Sequence, residues 1–286
     1  MKLFHLLLSV CFQISTFAQN NSDIILFEVV IKPTGIILSN PVNITNHKGY
    51  DNQPFFHNTN IYYSSAADSG QMDIRRYDYL KKTTYTIRHT EENEFSPTIT
   101  PDGKFISCIL QRKNGKQDLV KYPVKGGEAI IIIDNLKVGY HAWADDNNLL
   151  LFVLEDTTTF GLHYYNTITK EDKKLATDIG RSLQKIPGKQ AVSFIQKSPT
   201  DWFIKKYNVI TKTVSTVITA LPNREYLTWG KKGLILMSDG KEIYFSKPGS
   251  ISNWQKIKII GDVSLKNISR LAINEQNTRL AVVVAE

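Results

Sequence analysis

The sequence predicts an all-β fold, a six-bladed β-propeller of four-stranded antiparallel blades whose last blade is completed by N-terminal strands. Three observations lead to this prediction. A strand-to-turn step recurs at intervals of 42 to 44 residues, β-branched and aromatic residues dominate the segments between turns, and no apolar pattern of helical period continues beyond about ten residues. A fixed period in this range with several strands per unit is typical of propellers rather than helical solenoids.

The best-preserved copy of the repeat predicts all four strands of one blade. An inner strand at 94–99 leads into the turn Pro101-Asp102-Gly103, and three further strands are expected at 105–110, 118–122 and 129–133. Glycine-containing hairpin turns separate them. The corresponding inner turns of the other units begin at Asn58, Asp145, Pro187, Lys231 and Glu275.

The two ends of the chain predict how the ring closes. The last unit has strands at 268–273 and 279–284 and then ends, which is half a blade. Near the N-terminus, strands at 24–31 and 35–39 have no inner partner. We expect these to complete the sixth blade, because closure leaves only short and protected sheet edges.

The first 18 residues are expected to be a cleaved secretory signal. Lys2 precedes a mostly apolar run, and small Ala18 precedes Gln19. The run is too short and interrupted for a membrane-spanning helix. Residues 19–286 are then a single propeller domain, periplasmic or secreted, with no transmembrane segment. Its one remaining cysteine, Cys108, lies mid-strand and is expected to be a buried thiol.

The basic character of the chain does not indicate nucleic-acid binding. The formal net charge is +8, but the lysines and arginines are scattered over turns and outer strands. Export also argues against a nucleic-acid partner. A weak attraction to anionic polymers or surfaces stays an alternative, and the mature chain is expected to be a monomer.

Several segments resemble a known repeat family. The string E-F-S-P-T-I-T-P-D-G-K at 94–104, with G-Y-D-N-Q-P at 49–54 and D-I-R-R-Y at 73–77, resembles TolB-type, WD-repeat-like propellers of the bacterial envelope. The resemblance extends over essentially the whole mature chain. It implies a six-bladed ring and a binding or scaffold role in the envelope, and related propellers include some enzymes.

Polar side chains gather where the inner strands of a propeller line its central channel, a place where ligands commonly bind. Aligning the inner strands places Ser96 in one column with several of these residues, and His141 in the column of Pro54 and Pro97. The candidate ligand-binding residues at the channel mouth are Asp51, Asn52, Gln53, Glu94, Tyr140, His141, Arg181, Ser182, Glu225, Tyr226 and Arg270.

Three interpretations of this ring stay open. It is a solvated channel whose charges pair across blades, or a binding site in which Arg181 and Arg270 hold a carboxylate while a tyrosine stacks on a ring. In the third, a hydrolase or lyase acts on a polar substrate such as an acidic saccharide or peptide. His141 would then be the base, oriented by Asp51 or Glu94.

No cofactor is predicted. The histidines lack a metal-ligand spacing such as H-E-x-x-H, and neither a phosphate loop nor a dinucleotide motif is present. The acidic turn at 145–148 leaves a structural calcium ion as an alternative to a simple tight turn. The predicted function is therefore a binding or scaffold module whose partner is an envelope protein or a small polar ligand.

Overall fold

A computed structural model describes residues 21–87, 90–156, 159–249 and 251–285. The predicted signal segment, residues 1–18, lies outside the described residues. The first two strands are β1 (Ser22–Lys32) and β2 (Gly35–Asn43), which form a hairpin. In the described part of the chain the helical content is a single 3₁₀ turn, Lys231–Gly233, in agreement with the all-β prediction.

Five sheets of four antiparallel strands follow along the chain, and each is one blade. Blade 1 contains β3 (Asp51–His57), β4 (Asn60–Ala66), β5 (Met72–Asp78) and β6 (Thr83–Thr86). Blade 2 contains β7 (Asn93–Ile99), β8 (Phe105–Gln111), β9 (Gln117–Pro123) and β10 (Ile130–Ile133). Blade 3 contains β11 (Val138–Trp143), β12 (Asn148–Leu154), β13 (Phe160–Asn166) and β14 (Asp172–Thr177).

Blades 4 and 5 repeat this order with shorter inner strands. Blade 4 contains β15 (Gln184–Lys185), β16 (Ala191–Gln196), β17 (Phe203–Asn208) and β18 (Thr213–Thr219). Blade 5 contains β19 (Leu227–Trp229), β20 (Ile235–Ser238), β21 (Ile243–Lys247) and β22 (Ile251–Lys256).

The sixth sheet joins the two ends of the chain, as predicted. Its strands are β24 (Ile268–Ile273), β25 (Arg279–Ala285), β1, β2 and the two-residue β23 (Lys258–Ile259). Strand β1 pairs with β25 from Ser22↔Ala285 to Glu28↔Arg279. The Ser22 hydroxyl also donates to the Asp51 carbonyl at 3.0 Å, which ties this blade to blade 1.

The sixth blade has the four predicted antiparallel strands and one short addition. Strand β23 adds a fifth member, which pairs in parallel with β2 through Ile37↔Lys258 and Leu38↔Ile259. It belongs to the connection from blade 5 to blade 6, which passes along the outer edge of β2. The connection covers an edge that would otherwise present unpaired backbone groups.

The core lies between blades rather than inside a single layer. Six clusters of buried apolar side chains are formed by the described residues, one at each junction of neighbouring blades. Trp143 and Trp229 show how a junction is completed, because their indole N–H groups donate to Ser107 and Ser193 of the preceding blades at 2.9 and 2.7 Å. The inner strands are therefore held rigidly around the channel.

Candidate functional site

A cavity of about 970 Å³ opens at one mouth of the channel and is lined by the inner strands of all six blades. Its rim is formed by the turns that follow the inner strands, and we call this side of the ring the mouth face. The volume lies in the range of about 300–1,000 Å³ that is usual for ligand pockets. The cavity is therefore the candidate functional site.

Bulges in the inner strands determine which side chains reach the cavity. The pairing register shifts between Asn52 and Phe55 in β3 and between Phe95 and Thr98 in β7. At these bulges Gln53 and Ser96 adopt positive φ angles of 60° and 55°. A bulge adds a residue to one strand and redirects its side chains, and such bulges occur frequently beside functional sites. Similar register shifts occur in β11 and β24.

Arg270 lies deep in the cavity between two tyrosines of other blades. Its Nη2 donates to the hydroxyls of Tyr140 and Tyr226, both at 3.1 Å. The guanidinium also lies 4.3 Å from the centre of the Tyr226 ring and 5.1 Å from that of Tyr140. The structure thus brings together three of the predicted residues, from blades 3, 5 and 6.

Within the part of the chain that the structure describes, no carboxylate balances the charge of Arg270. Across the described ranges, no ion pair involves this residue. Burial raises the pKa of Tyr226, although the Arg270 cation lowers it in part. Burial likewise raises the pKa of nearby Tyr50 to about 12, and here too the Arg270 cation partly opposes the increase. These phenols stay neutral at neutral pH, so they supply no negative charge to the guanidinium.

Arg181 and Glu225 form a second, already satisfied group. Arg181 lines the cavity, and its Nη1 lies 3.7 Å from Glu225 Oε1. Lys197 Nζ lies 3.1 Å from the other carboxylate oxygen. Glu225 itself faces a smaller pocket of about 430 Å³ at the opposite mouth. The Glu225 charge is therefore shared by two cations, Arg181 on the wall of the main cavity and Lys197 outside it.

His141 is buried between blades 2 and 3. Its Nε2 lies 2.8 Å from Ser107 Oγ, which also accepts the Trp143 N–H. Burial lowers the pKa of His141 to about 3, so its imidazole is neutral in the folded protein. Although His141 contributes to the cavity wall, it is only 6% exposed. In the described part of the chain, no carboxylate is among its hydrogen-bonding or ion-pair partners.

Asp51 and Glu94 lie between blades and do not line the cavity. Asp51 is fully buried, with an oxygen 3.0 Å from His47 Nε2. Glu94 accepts hydrogen bonds from the Tyr122 hydroxyl at 2.8 Å and the Ile74 N–H at 3.4 Å. Burial raises the pKa of both carboxyls. The structure thus separates these two residues from His141 and Arg270, contrary to the expectation from the aligned columns.

The remaining predicted residues connect neighbouring inner strands. Asn52 accepts a bond from the Gln53 N–H at 2.7 Å and stabilises the bulge without lining the cavity. Gln53 lines the cavity and accepts the Ser96 N–H of blade 2 at 2.6 Å. Ser182 lines it too, and its hydroxyl exchanges weak bonds with the backbone of Leu227 in blade 5. Most polar groups of these three residues therefore already form hydrogen bonds within the protein.

The rim contains lysines that the column alignment did not include. The cavity lining has six basic residues, Arg181, Lys185, Lys189, Lys231, Lys232 and Arg270, against two acidic ones, Asp145 and Glu275. Lys231 and Glu275 pair at 3.1 Å. The excess of cations creates a positive potential in a concave site, which favours anions. The sequence signal that could have identified these lysines is the basic composition of the turns that begin at Pro187 and Lys231.

Two further observations concern metals and membranes. Within the described ranges, no group of three or more histidine, cysteine, aspartate or glutamate side chains gathers in a way that could hold a metal ion. The Asp145 carboxylate accepts the Asn147 and Asn148 backbone N–H groups at 3.0 Å and so forms a tight turn. None of the helical structure in the described part of the chain has the length and apolarity needed to cross a bilayer.

Comparison by sequence finds no relative, whereas comparison by structure does. No protein-family model matches the chain, and no curated protein sequence matches it. A TolB candidate from Agrobacterium tumefaciens superposes with a TM-score of 0.70 at 13% identity, over 94% of this chain and 99% of that one. TolB from Acinetobacter baumannii gives 0.59 at 11% identity, over 93% of this chain and 65% of that one.

A third similar structure is an oligogalacturonate lyase in complex with manganese. It superposes with a TM-score of 0.60 at 14% identity, over 88% of this chain and 81% of that one. At such identities the likeness concerns the fold and not the function. The chain therefore has the six-bladed propeller fold of TolB-type proteins, as the sequence resemblance implied.

Proposed function

We propose that this protein is a binding module of the bacterial cell envelope that holds an anionic group of its partner in the mouth-face cavity. The observation that carries this proposal is the unbalanced Arg270 cation between Tyr140 and Tyr226. Arg270 is half-buried, and a cation partly withdrawn from water without a counter-charge carries a desolvation cost. An anionic ligand removes this cost, so binding energy is concentrated at this residue.

The free edge of the guanidinium defines the group that would bind. Arginine has five N–H donors in a planar fork. Among the described residues, its hydrogen bonds to protein use Nη2, which leaves the Nη1 and Nε groups available to a ligand. A carboxylate fits such an edge with two parallel hydrogen bonds. The lysines of the rim would attract an acidic segment or acidic sugar toward the cavity.

An envelope location agrees with the sequence resemblance and with the TolB proteins of the same fold. The partner is accordingly an envelope protein presenting an acidic segment, or a small carboxylate-bearing ligand. Both need the same chemistry at Arg270. Export through the segment 1–18 is part of this proposal.

A channel-sited lyase or hydrolase is the second candidate. It is favoured by the fold shared with an oligogalacturonate lyase, whose described complex contains manganese. In that function Arg270 would neutralise the carboxylate of a uronate. It ranks second because His141 is buried away from Asp51 and Glu94, which leaves the proposed base without its orienting carboxylate.

The test is calorimetric titration with a galacturonate oligomer and, separately, an acidic peptide. Arg270→Met keeps the volume of the side chain and removes the cation. Because a charge-assisted bond contributes about 1.5–3 kcal/mol, we expect affinity to fall at least about tenfold. Arg279→Met is the matched control, since Arg279 pairs with Glu28 outside the cavity.

Two results would contradict the proposal: no binding of either probe by the wild type, or equal binding by Arg270→Met. An increase in ultraviolet absorbance with the uronate oligomer, caused by an unsaturated product, would favour the lyase instead. Loss of that absorbance change in Arg270→Met, at an unchanged melting temperature, would place the reaction in this cavity.

A further inference from the structure

The three most exposed large apolar side chains of the described residues occupy the same position in three blades. Leu80, Ile168 and Ile210 are 68%, 71% and 67% exposed, whereas the next value is 51%. Each lies in the turn between the third and fourth strands of its blade. Single exposed apolar residues need no explanation, but a repeated position does.

The local structure holds these side chains outward. In each turn a side-chain oxygen accepts the backbone N–H of the apolar residue, at 3.0 Å from Asp78, 3.0 Å from Asn166 and 2.9 Å from Asn208. Such Asx turns are rigid local structures. A lysine with a positive φ then ends each turn: Lys82, Lys170 and Lys212 at 54°, 60° and 52°. Glycine would fit this backbone with less strain, so the lysines are not required by the turn itself.

All three turns lie on the mouth face. Asp78 pairs with Asn60, Asn166 with Asn148, and Asn208 with Ala191. These partners begin the second strands, directly after the turns that form the rim of the cavity. Leu80, Ile168 and Ile210 therefore surround the mouth at its outer margin, on blades 1, 3 and 4.

The β1–β2 hairpin of blade 6 adds a fourth apolar projection. Strand β1 pairs with β25 as far as Glu28, and the Val29 N–H donates to the Thr278 carbonyl just before β25. The strand then continues to Lys32, paired with β2. At about 3.3 Å per residue, this extension rises about 13 Å beyond the last pair. Near its end, Val30 and Ile31 are 45% and 51% exposed. The hairpin points in the same direction as the other three turns, because β1 is the third strand of its blade.

We propose that the mouth face docks on a membrane surface that carries anionic headgroups. The tip residues, Val30, Ile31, Leu80, Ile168 and Ile210, would enter the boundary between headgroups and acyl chains. Lysines stand beside every tip and would contact headgroup phosphates: Lys32, Lys81, Lys82, Lys170 and Lys212. Apolar residues flanked by lysines are the combination that binds peripheral proteins to anionic bilayers.

The separation of the tips favours a bilayer over a protein partner. Specific protein interfaces usually bury a contiguous patch of about 800 Å² on each side, with an apolar centre. Here the tips stand on four different blades around a ring, with polar turns between them. A bilayer is continuous and can receive all four at once. Glu171 next to Lys170 reduces the positive charge of one tip, and the chain as a whole is positive by +8.

Vesicle sedimentation tests the proposal with the full mature chain. Vesicles of phosphatidylcholine, with and without phosphatidylglycerol, are mixed with the wild type and with a tip variant that combines Leu80→Ser, Ile168→Ser and Ile210→Ser. The matched control combines Val42→Ser, Ile131→Ser and Ile260→Ser, which are 50%, 50% and 49% exposed. Val42 and Ile131 lie on the outer strands β2 and β10, and Ile260 directly follows β23. None of the six residues lines the cavity, so ligand binding there is a separate measurement.

We expect the wild type and the control to sediment with the anionic vesicles, and the tip variant to bind at least about tenfold more weakly. Binding should also weaken as salt rises from about 0.1 M to about 0.5 M, which shortens the range of electrostatic attraction. A Leu80→Trp variant should show a blue shift of fluorescence on anionic vesicles, and Val42→Trp should not.

Three outcomes would overturn the proposal. The wild type does not sediment with anionic vesicles, or the tip variant sediments as well as the wild type. Alternatively, sedimentation velocity shows a dimer that the tip variant cannot form, which would make this face an interface between copies of the chain.

Discussion

Replacing Glu94 by alanine discriminates between two roles for this carboxylate, a channel group or a connection between blades. In the structure Glu94 is 1% exposed and accepts hydrogen bonds from Tyr122, Thr90 and the Ile74 backbone. Ile74 belongs to blade 1 and Tyr122 to blade 2. Glu94→Ala therefore removes the carboxylate that accepts the Tyr122 hydroxyl and the Ile74 N–H.

The expected loss of stability follows from those contacts. A hydrogen bond to a charged group contributes about 1.5–3 kcal/mol, and the two longer bonds contribute less. Burying a carboxyl carries a desolvation cost, and the variant no longer has this cost, which offsets part of the lost hydrogen-bond energy. We therefore expect a net loss of stability of about 3 kcal/mol at neutral pH. At about 2–4 °C per kcal/mol the melting temperature falls by about 6–12 °C.

The pH dependence has a defined sign. Burial raises the pKa of Glu94 above its ordinary value of 4.5, so the folded protein keeps this proton to a higher pH than the unfolded chain does. The unfolded chain loses this proton first, and Glu94 therefore makes the wild type less stable as pH rises above about 4.5. Glu94→Ala should lack this contribution, so the difference between the two proteins should change with pH.

Urea unfolding followed by tryptophan fluorescence measures this effect. Tyr122→Phe and the double variant complete a cycle, in which we expect a coupling energy of about 1–2 kcal/mol between the two residues. A loss below about 1 kcal/mol for Glu94→Ala would refute the reasoning. So would unchanged stability together with weaker binding of an anionic ligand, because that result would place the carboxylate in the channel.

Three further predictions concern other parts of the fold. Because the pKa of His141 is lowered to about 3, the folded protein should lose stability as pH falls from about 6.5 toward 3, by up to about 1.4 kcal/mol per pH unit. His141→Gln should lessen this loss, which thermal melts at a series of pH values would measure. Deletion of residues 22–32 removes the strand between β2 and β25, so circular dichroism should show no cooperative melting. Cys108 is fully buried, and burial raises its pKa well above the usual range, so a thiol reagent should modify it only after urea unfolds the chain.

Each of these has an opposing result. Identical pH profiles for the wild type and His141→Gln would contradict a neutral buried imidazole. A deletion that melts like the full chain would contradict ring closure by β1. Rapid labelling of Cys108 in the native protein would show that the second strand of blade 2 is not protected.

The strands of blade 2 were predicted to within two residues from local chemistry. The predicted segments 94–99 and 105–110 correspond to Asn93–Ile99 and Phe105–Gln111. Turns such as Pro101-Asp102-Gly103 depend on the backbone preferences of a few adjacent residues, which a sequence displays directly. The extra strand β23 was not predicted, because its two residues pair only when blades 5 and 6 come together.

The positions of the candidate residues were predicted in part. Tyr140, Tyr226 and Arg270 do meet in the channel, whereas Asp51 and Glu94 lie between blades. The aligned columns assume that side chains alternate regularly along a strand. The bulges at Gln53 and Ser96 interrupt this alternation. A bulge is formed by pairing with the neighbouring strand, so the direction of a side chain near it cannot be read from one strand.

The sequence by itself determined the repeat, the number of blades and the closure of the ring, because strand and turn patterns depend on neighbouring residues and recur at a fixed period. Only the tertiary structure decided which polar side chains face the cavity and which are buried between blades, where they form hydrogen bonds or ion pairs. Burial and charge balance depend on residues more than 40 positions away, as in the contact of Arg270 with Tyr226. The same packing brings lysines and apolar residues that are scattered in the sequence to the mouth face, because all six blades have their outer turns on the same side of the ring.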